Sequence, residues 1–216
     1  MNAGFSNLTT LKGYLLAATM RTRTDWDDAI KSIGQGVASA FENYCNRKFA
    51  RAVADTEILP ADKCQFLLSR YPIESISAID LKTTESDGWV SQVINTFLNT
   101  LDNKAGIVNC PDGADAGPWY AQVRFTYTGG YFWEQLEPAD AGYPTAVPIG
   151  AALVPADLLE SWLLQCEVTW KMRDKLGVGI VGGETKGRGP LYAINDLDFI
   201  PFVKKNLGQF VRYNLT

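Results

Sequence analysis

The stretch from Thr24 to Phe49, TDWDDAIKSIGQGVASAFENYCNRKF, constrains the fold more than any other. Its apolar residues Trp26, Ile30, Ile33, Val37, Phe41 and Tyr44 recur at steps of four, three, four, four and three. That is the period of a helix burying one stripe. Thr24 can cap the helix, and Asp27 three positions on can complete a capping box. Asp25, Asp27 and Asp28 put negative charge at the positive end of the helix dipole, and Arg47 and Lys48 put positive charge at the other. Gly34 and Gly36 each cost about 1 kcal/mol relative to Ala in a helix interior. Their presence predicts a close neighbour or a bend. Taken alone, the pattern is that of a core helix in any soluble domain.

The rest of the composition narrows the classes. The 216 residues suffice for one large domain or two small ones. With 46% hydrophobic and 20% charged residues, the chain reads as folded, and no apolar run approaches the length of a membrane span. The N-terminal MNAGFSNLTTLKGYLL has no basic region ahead of an apolar one, so no signal peptide is expected and synthesis in a cytoplasm is. Histidine is absent, which removes the commonest general base and metal ligand and every Ser–His or Cys–His device. Cys45, Cys64, Cys110 and Cys166 form no CxxC pair, so buried free thiols are expected rather than a zinc knuckle. Net charge is +2 over residues 1–50, −7 over 51–150 and +1 over 151–216. A nucleic-acid reader usually shows a basic face; the middle of this chain is acidic.

In chain order, Leu8 to Met20 reads as a first helix, with Leu8, Leu11, Leu15 and Ala18 on one face, joined by MRTRT to the second as a helical hairpin. Residues 51–130 read as a small, mostly antiparallel β-sheet inserted between helices. Its strands are expected at Arg51–Leu59, Cys64–Leu68, Ile73–Leu81, Ile107–Cys110 and Trp119–Thr128, with Trp89–Leu101 unassigned. In the last strand Trp119, Ala121, Val123, Phe125 and Tyr127 share one face. Residues 131–154 read as a linker, since Pro138, Pro144 and Pro148 oppose regular structure. Residues 155–176 read as a long helix opened by Pro155, with Leu159, Trp162, Leu163, Cys166 and Trp170 as its stripe and Gly177 as its stop. The remainder, 177–216, reads as a glycine-rich segment and a C-terminal arm with a short helix from Pro201. The fold class is α+β: a helical bundle, an inserted sheet and an extended arm.

The motifs that could carry chemistry are weak. Gly177-Val-Gly179-Ile-Val-Gly182 matches GxGxxG but follows a helix and lies in no βαβ unit, so no dinucleotide site is expected. Lys186 and Arg188 lack the phosphate-loop pattern and read as a solvated loop. Asp25, Asp27 and Asp28 read as helix-start charges, and Asp112 and Asp115 lack a calcium-loop pattern. No catalytic, metal or cofactor residues are assigned, and the chain is expected not to be an enzyme. The aromatic residues Trp119, Tyr131, Phe132 and Trp133 are candidates for a subunit interface, with core packing as the alternative.

The order of phrases carries a resemblance. The second helix ends on Glu42, Tyr44, Arg47 and Phe49; then come Tyr71, Pro72, Ile73, Ser75 and Ile76; Tyr127 to Tyr131 reads Tyr-Thr-Gly-Gly-Tyr; and Pro155 to Leu158 opens the late helix. In this the chain resembles the head–tail connector (adaptor, or head completion) proteins of tailed bacteriophages. The resemblance spans nearly the whole chain, although residues 83–118 and 131–150 are longer than in many relatives.

The resemblance implies a virion protein of the capsid–tail neck. It would form a homo-oligomeric ring, expected to hold twelve copies, under the portal protein, extend the DNA channel and dock a stopper or tail-terminator protein. Double-stranded DNA would pass without sequence-specific binding, and the acidic 51–150 region is a candidate for a wall that repels phosphates. The arm, with Phe199, Pro201, Phe202, Leu207, Phe210 and Tyr213, is the candidate portal contact, ordering on docking. The alternatives are another neck ring, either stopper or tail terminator, or a carboxylate-dependent hydrolase or carbohydrate-binding domain. An enzyme would show converging carboxylates in a cleft.

Overall fold

A computed structural model of the chain describes residues 5–61, 63–84, 86–98, 100–109, 122–132, 147–176 and 199–212. The fold is α+β, and its described residues form two compact units. One holds residues 5–45, 155–176 and 199–211, and the other holds 46–132, 147–154 and 212.

The first unit is helical: α1 (Leu8–Leu15), α2 (Asp27–Cys45), α4 (Ala156–Leu176) and α5 (Pro201–Leu207). Helix α1 ends at Leu15, short of the Met20 that periodicity suggests, and a 3₁₀ turn occupies Ala18–Met20. A buried lysine ties down the connection. Lys12 Nζ donates to Arg23 O at 2.5 Å and pairs with Asp27 Oδ1 at 2.6 Å. Asp27, expected as the second half of a capping box, thus serves as the anion for Lys12, while its amide donates to Thr24 O at 3.1 Å.

The buried stripe of α2 is Ile30, Gly34, Val37, Ala38, Phe41 and Cys45. It is rotated from the expected one, so that Tyr44 is exposed and small residues face inward. Trp162 of α4, fully buried, is the cause: its indole Nε1 donates to Gly34 O at 3.0 Å. A helix interior tolerates Gly34 because a tryptophan approaches its backbone there, whereas Gly36 faces open space. The ring of Phe5 meets Trp162 edge-on at 5.9 Å, and Trp26 meets Trp170 at 5.7 Å.

Helix α4 also turns differently from its apolar pattern. Leu158, Ser161, Trp162, Gln165, Cys166, Thr169 and Trp170 are buried, while Leu159 and Leu163 are half-buried. Burial holds the Cys166 thiol pKa well above its usual value. The polar members of the face have partners. Gln165 Oε1 accepts from Ile200 N at 3.2 Å, Asn206 Nδ2 donates to Ser161 Oγ at 3.1 Å, and Thr169 Oγ1 donates to Gln165 O at 2.9 Å. The first two bonds seat α5, whose Val203 and Leu207 are fully buried.

The second unit is built from strands. A four-stranded antiparallel sheet has the order β1 (Ala52–Pro60), β7 (Gln122–Gly129), β3 (Ile73–Lys82), β4 (Val90–Ser91). A three-stranded antiparallel sheet has the order β2 (Gln65–Leu67), β6 (Ile107–Asn109), β5 (Thr100–Asp102). The unassigned stretch 89–101 holds β4, one helical turn α3 (Ile94–Phe97) and the start of β5. Val123, Phe125 and Tyr127 point into the core with Ile79, Leu81, Phe66 and Val108, and Phe66 meets Phe125 at 5.3 Å. Trp119 and Ala121 of the expected last strand lie outside the described residues. The ends of the expected linker are regular: β8 (Tyr131–Phe132) pairs in parallel with β9 (Ala152–Leu153).

Trp162→Phe keeps one aromatic ring but leaves a small cavity and deprives the Gly34 carbonyl of the indole donor. It should lower unfolding free energy by about 1–3 kcal/mol, read as a lower denaturant midpoint at unchanged slope. An unchanged midpoint would show that the indole bond contributes nothing.

Candidate functional site

Three of the four phrases that carry the sequence resemblance meet in the β unit at one side chain. Arg47 is 5% exposed. Its guanidinium carbon lies 3.3 Å from the centre of the Tyr71 ring, 4.7 Å from Phe49 and 5.5 Å from Tyr131. Phe49 and Tyr131 stack at 6.5 Å with 19° between ring planes. Arg47 Nη2 also donates to Tyr71 O. A guanidinium is flat and weakly hydrated, so it can lie on ring faces and still donate in its own plane. The backbone closes around it: Tyr131 N donates to Phe49 O at 2.8 Å, Arg51 N to Tyr131 O at 2.9 Å, and Gly130 N to Pro72 O at 2.8 Å. Gly130 has φ +93°, and a Cβ there would sit 2.5 Å from Ala50 O. Only glycine fits that position.

Around this clamp each described acid is held. Arg51 forks onto Glu74 at 2.6 and 2.8 Å, and that hydrogen bond holds the Arg51 pKa above its ordinary value against the opposing effect of burial. Arg70 Nε donates to Asp55 Oδ2 at 2.8 Å, and its Nη1 donates to Ala50 O. Glu57 Oε2 accepts from Ser69 N at 2.8 Å, Ser69 Oγ at 3.0 Å and Tyr127 OH at 2.8 Å. Burial and the charge of Glu57 push the Tyr127 phenol well above its usual pKa. On the other sheet face, Asp80 Oδ2 accepts from Arg124 Nε at 3.0 Å and Nη2 at 2.8 Å, and Oδ1 accepts from Ser91 Oγ at 2.8 Å. The Arg124 guanidinium lies 4.5 Å from the centre of the Trp89 ring. Asp102 Oδ1 accepts from Lys104 N and Ala105 N, and Asp87 Oδ2 from Thr84 N. The −7 of residues 51–150 is therefore not a bare acidic face where the structure describes it. Asp62, Glu85, Asp112, Asp115, Glu134, Glu137 and Asp140 lie outside the described residues.

The residues expected to act at surfaces are dispersed. Phe132 is 8% exposed and the half-buried Tyr131 lies against Arg47; Trp119 and Trp133 lie outside the described residues. Of the expected arm, Leu207 is fully buried. Phe199 meets Phe41 edge-on at 5.2 Å and Tyr44 at 5.3 Å, and Phe210 is half-buried. Pro201 and Phe202 are exposed, and Tyr213 lies outside the described residues. Helix α5 is thus already seated, because Val203 and Leu207 complete the core of its own unit. The GxGxxG stretch, Lys186 and Arg188 also lie outside. Among the described residues no three His, Cys, Asp or Glu side chains gather to hold a metal ion, and no helix is long and apolar enough to cross a membrane. Cys45 and Cys166 are buried, whereas Cys64 is exposed. What the sequence hid was the clamp: Arg47 and Phe49 stood within one phrase, and Tyr71 and Tyr131 stood in two others.

Two measurements test this geometry. Arg47→Lys keeps the charge but cannot lie flat on Tyr71 and donate in plane, and it should cost about 1–3 kcal/mol of unfolding free energy. A variant as stable as the parent would refute the clamp. For Asp80, burial raises the carboxyl pKa, but the hydrogen bonds from Arg124 and Ser91 and the charge of Arg124 outweigh it, so the net value is lowered. A carboxyl depressed in the folded state contributes stability above its unfolded pKa, roughly 4, and loses it as pH falls through the lower folded value. Asp80→Asn should cost about 1–2 kcal/mol at neutral pH, and the gap should close as pH drops below about 4. A gap independent of pH would refute that assignment.

No protein-family model matches the sequence, and no curated protein matches it. The fold is similar to that of chains in two solved structures. One is described as the neck of an empty GTA particle computed with C6 symmetry, the other as the virion of a native gene transfer agent (GTA) particle. In each case identity is 13%, 97% of this chain and 90% of the other are covered, and the TM-score is 0.58. At that identity the likeness is one of fold, and it extends through both units of the chain.

Proposed function

We propose that this chain is a structural protein of the neck of a virus-like particle, a head–tail adaptor. It forms a ring under the portal protein, extends the DNA channel and docks the next neck component, a stopper or tail terminator. The observation that carries this reading is the likeness of fold, over 97% of the chain, to a chain of a GTA neck. The order of sequence phrases shared with phage adaptors supports it from a separate direction. The C6 symmetry of that neck supports a ring, because head-to-tail interfaces between identical copies close into one. Twelve copies, a multiple of six, is the number the family resemblance implies.

The charge arrangement supports a channel that does not hold its cargo. Duplex DNA is retained by cations free to replace its counterions. In the β unit Arg51, Arg70 and Arg124 are each committed to a carboxylate. Their partners Glu74, Asp55 and Asp80 are committed in turn. A structural role is what these pairings support.

The portal contact is assigned to the exposed side of α5, with Pro201 and Phe202. The opposite side, Val203 and Leu207, holds the helix to its own unit. Removing residues 199–216 would therefore strip core residues, and a single exposed substitution is the cleaner probe. Light scattering and negative-stain microscopy of the full chain, alone and mixed with the particle's portal protein, should show rings or ring-decorated portals. Phe202→Asp should weaken portal joining by about tenfold or more at an unchanged melting temperature. A parent chain that stays monomeric and indifferent to the portal would overturn the adaptor reading.

A further inference from the structure

The four-stranded sheet of the β unit ends on two edges, β1 and β4. Gln92 N donates to Ile79 O at 2.8 Å, and this bond sets the hydrogen-bonding phase of the sheet. In antiparallel pairs, consecutive residues turn their N–H and C=O alternately to one neighbouring strand and to the other. Ile79 and Leu81 therefore face β4, and Asp80 faces β7. Asp80 lies opposite Arg124, so Arg124 faces β3, while Val123 and Phe125 face β1. Their partners on β1 are Leu59 and Glu57. Thr56 and Ile58 are left with N–H and C=O pointing off the outer edge of β1. By the same alternation Ser91, opposite Asp80, points its N–H and C=O off the outer edge of β4. Among the described residues, none of these outward groups has a hydrogen-bond partner. Pro60 fits the phase, because it too stands at an outward position and has no N–H to leave there.

An open strand edge is a template for another strand, and proteins blunt it with lysines, prolines and bulges. Residues 52–60 contain no lysine or arginine. The bulge between Ala52 and Asp55 and the terminal Pro60 leave a short open window, Thr56 to Leu59. Trp89 to Val93 carries no charge. Exposed aliphatic side chains accompany both edges: Val53 is 67% and Ile58 52% exposed on β1, and Val90 is 58% and Val93 70% exposed at β4. The other exposed aliphatic residues of the unit, Val147, Ile149 and Leu153, lie on an uncharged turn.

We infer that β1 of one subunit pairs with β4 of a second copy of this chain, so that the sheet continues from copy to copy around the ring. The inference rests on the ring reading proposed above. Three antiparallel pairings separate β1 from β4, so the two edges run in opposite directions and their junction is antiparallel again. Ile58, Arg124, Asp80 and Ser91 form one row across the sheet. Residues opposite one another share a face. Ile58 and Ser91, the outward-bonding ends of that row, therefore place their side chains on the same face, and copies join without turning the sheet over. The open window on β1 is short, and β4 is a short strand. Because the contact joins two different edges, it is heterologous and propagates until it closes. Pairing of β1 with β1 would instead give a two-fold dimer and stop.

Disulfide trapping tests the junction in the full chain carrying Cys64→Ser and Cys110→Ser. Ile58→Cys with Ser91→Cys places thiols at the two ends of the row. Within one chain these positions are three strand spacings apart, about 14 Å, twice the roughly 7 Å that a disulfide spans between Cα atoms. Opposite residues of a hydrogen-bonded pair are about 5.5 Å apart. Thr56→Cys with Ser91→Cys probes the same edges two residues along. Mild copper-catalysed oxidation of the protein, alone and mixed with the particle's portal protein, should give a ladder of covalent dimers, trimers and larger species from one of these pairs. Reductant should collapse the ladder, and no single-cysteine variant should cross-link. No ladder from either pair, or dimers from Ile58→Cys alone, would overturn the inference.

Thr56→Pro gives an independent readout. It removes an N–H that points off the sheet, so the bonds to β7 persist and the melting temperature should hold. The concentration needed for ring assembly should rise by about tenfold or more. Ile58→Lys sets a charge on the same edge without altering the backbone and should have the same effect, which covers the case of a proline that lowers the melting temperature. If the folded variants assemble like the parent, the ring stands and this junction is wrong. If the parent itself forms no ring, alone or on the portal, the ring reading falls and takes the inference with it.

Discussion

The β unit depends on one buried cation. Arg47 lies against three aromatic faces, the nearest only 3.3 Å from its guanidinium carbon. A desolvated contact of this type contributes about 2 kcal/mol or more, a large share of a marginal stability. Its placement matters as much as its strength. Phe49 precedes β1, Tyr71 precedes β3, and Tyr131 follows β7. One guanidinium thus gathers the ends of the three longest strands, which are adjacent in the sheet. Gly130 is the condition that permits it, because its left-handed backbone lets the chain pass within contact distance of Ala50.

The charges of the same unit obey a related economy. A chain segment with a net charge of −7 invites the reading of a repulsive wall. The folded unit spends its described acids on internal bonds: Glu74 on Arg51, Asp55 on Arg70, Asp80 on Arg124 and Ser91, Glu57 on Ser69 and Tyr127. These pairs fasten neighbouring strands and loops, and they disarm both partners for chemistry. Arg51, Arg70 and Arg124, each held by a carboxylate, have little of their charge left to offer a polyanion.

In the helical unit a polar seam does what an apolar stripe would do elsewhere. Ser161, Gln165 and Thr169 lie on the buried face of α4, and two of them bond to Ile200 and Asn206. Each buried polar atom costs free energy unless it finds a partner. Seating α5 elsewhere along α4 would cost Gln165 Oε1 its bond from Ile200 N and leave Ser161 Oγ only its own bond to Asp157 O. The seam therefore fixes where α5 lies, while Val203 and Leu207 provide the burial that holds it there.

The helices at 27–45 and 156–176 were legible, because a 3.6-residue period survives any tertiary context, and so were the strands at 52–60, 73–82 and 122–129. Which side of each helix faces inward was not. Periodicity favours Tyr44 and Leu159, but the structure buries Gly34, Cys45 and Gln165, because close approach by Trp162 and hydrogen bonds from residues 200 and 206 outweigh side-chain hydrophobicity. The phrases around Arg47, Tyr71 and Gly130 were visible as words, but their meeting was not, since a cation–π contact between residues 24 and 84 positions apart has no local period. Sequence alone determined the elements and the total charge. Only tertiary structure decided which charges cancel, which side of α5 is free, and that the uncharged turn at Ile149 is exposed. Each of those outcomes depends on distances between residues remote in the chain.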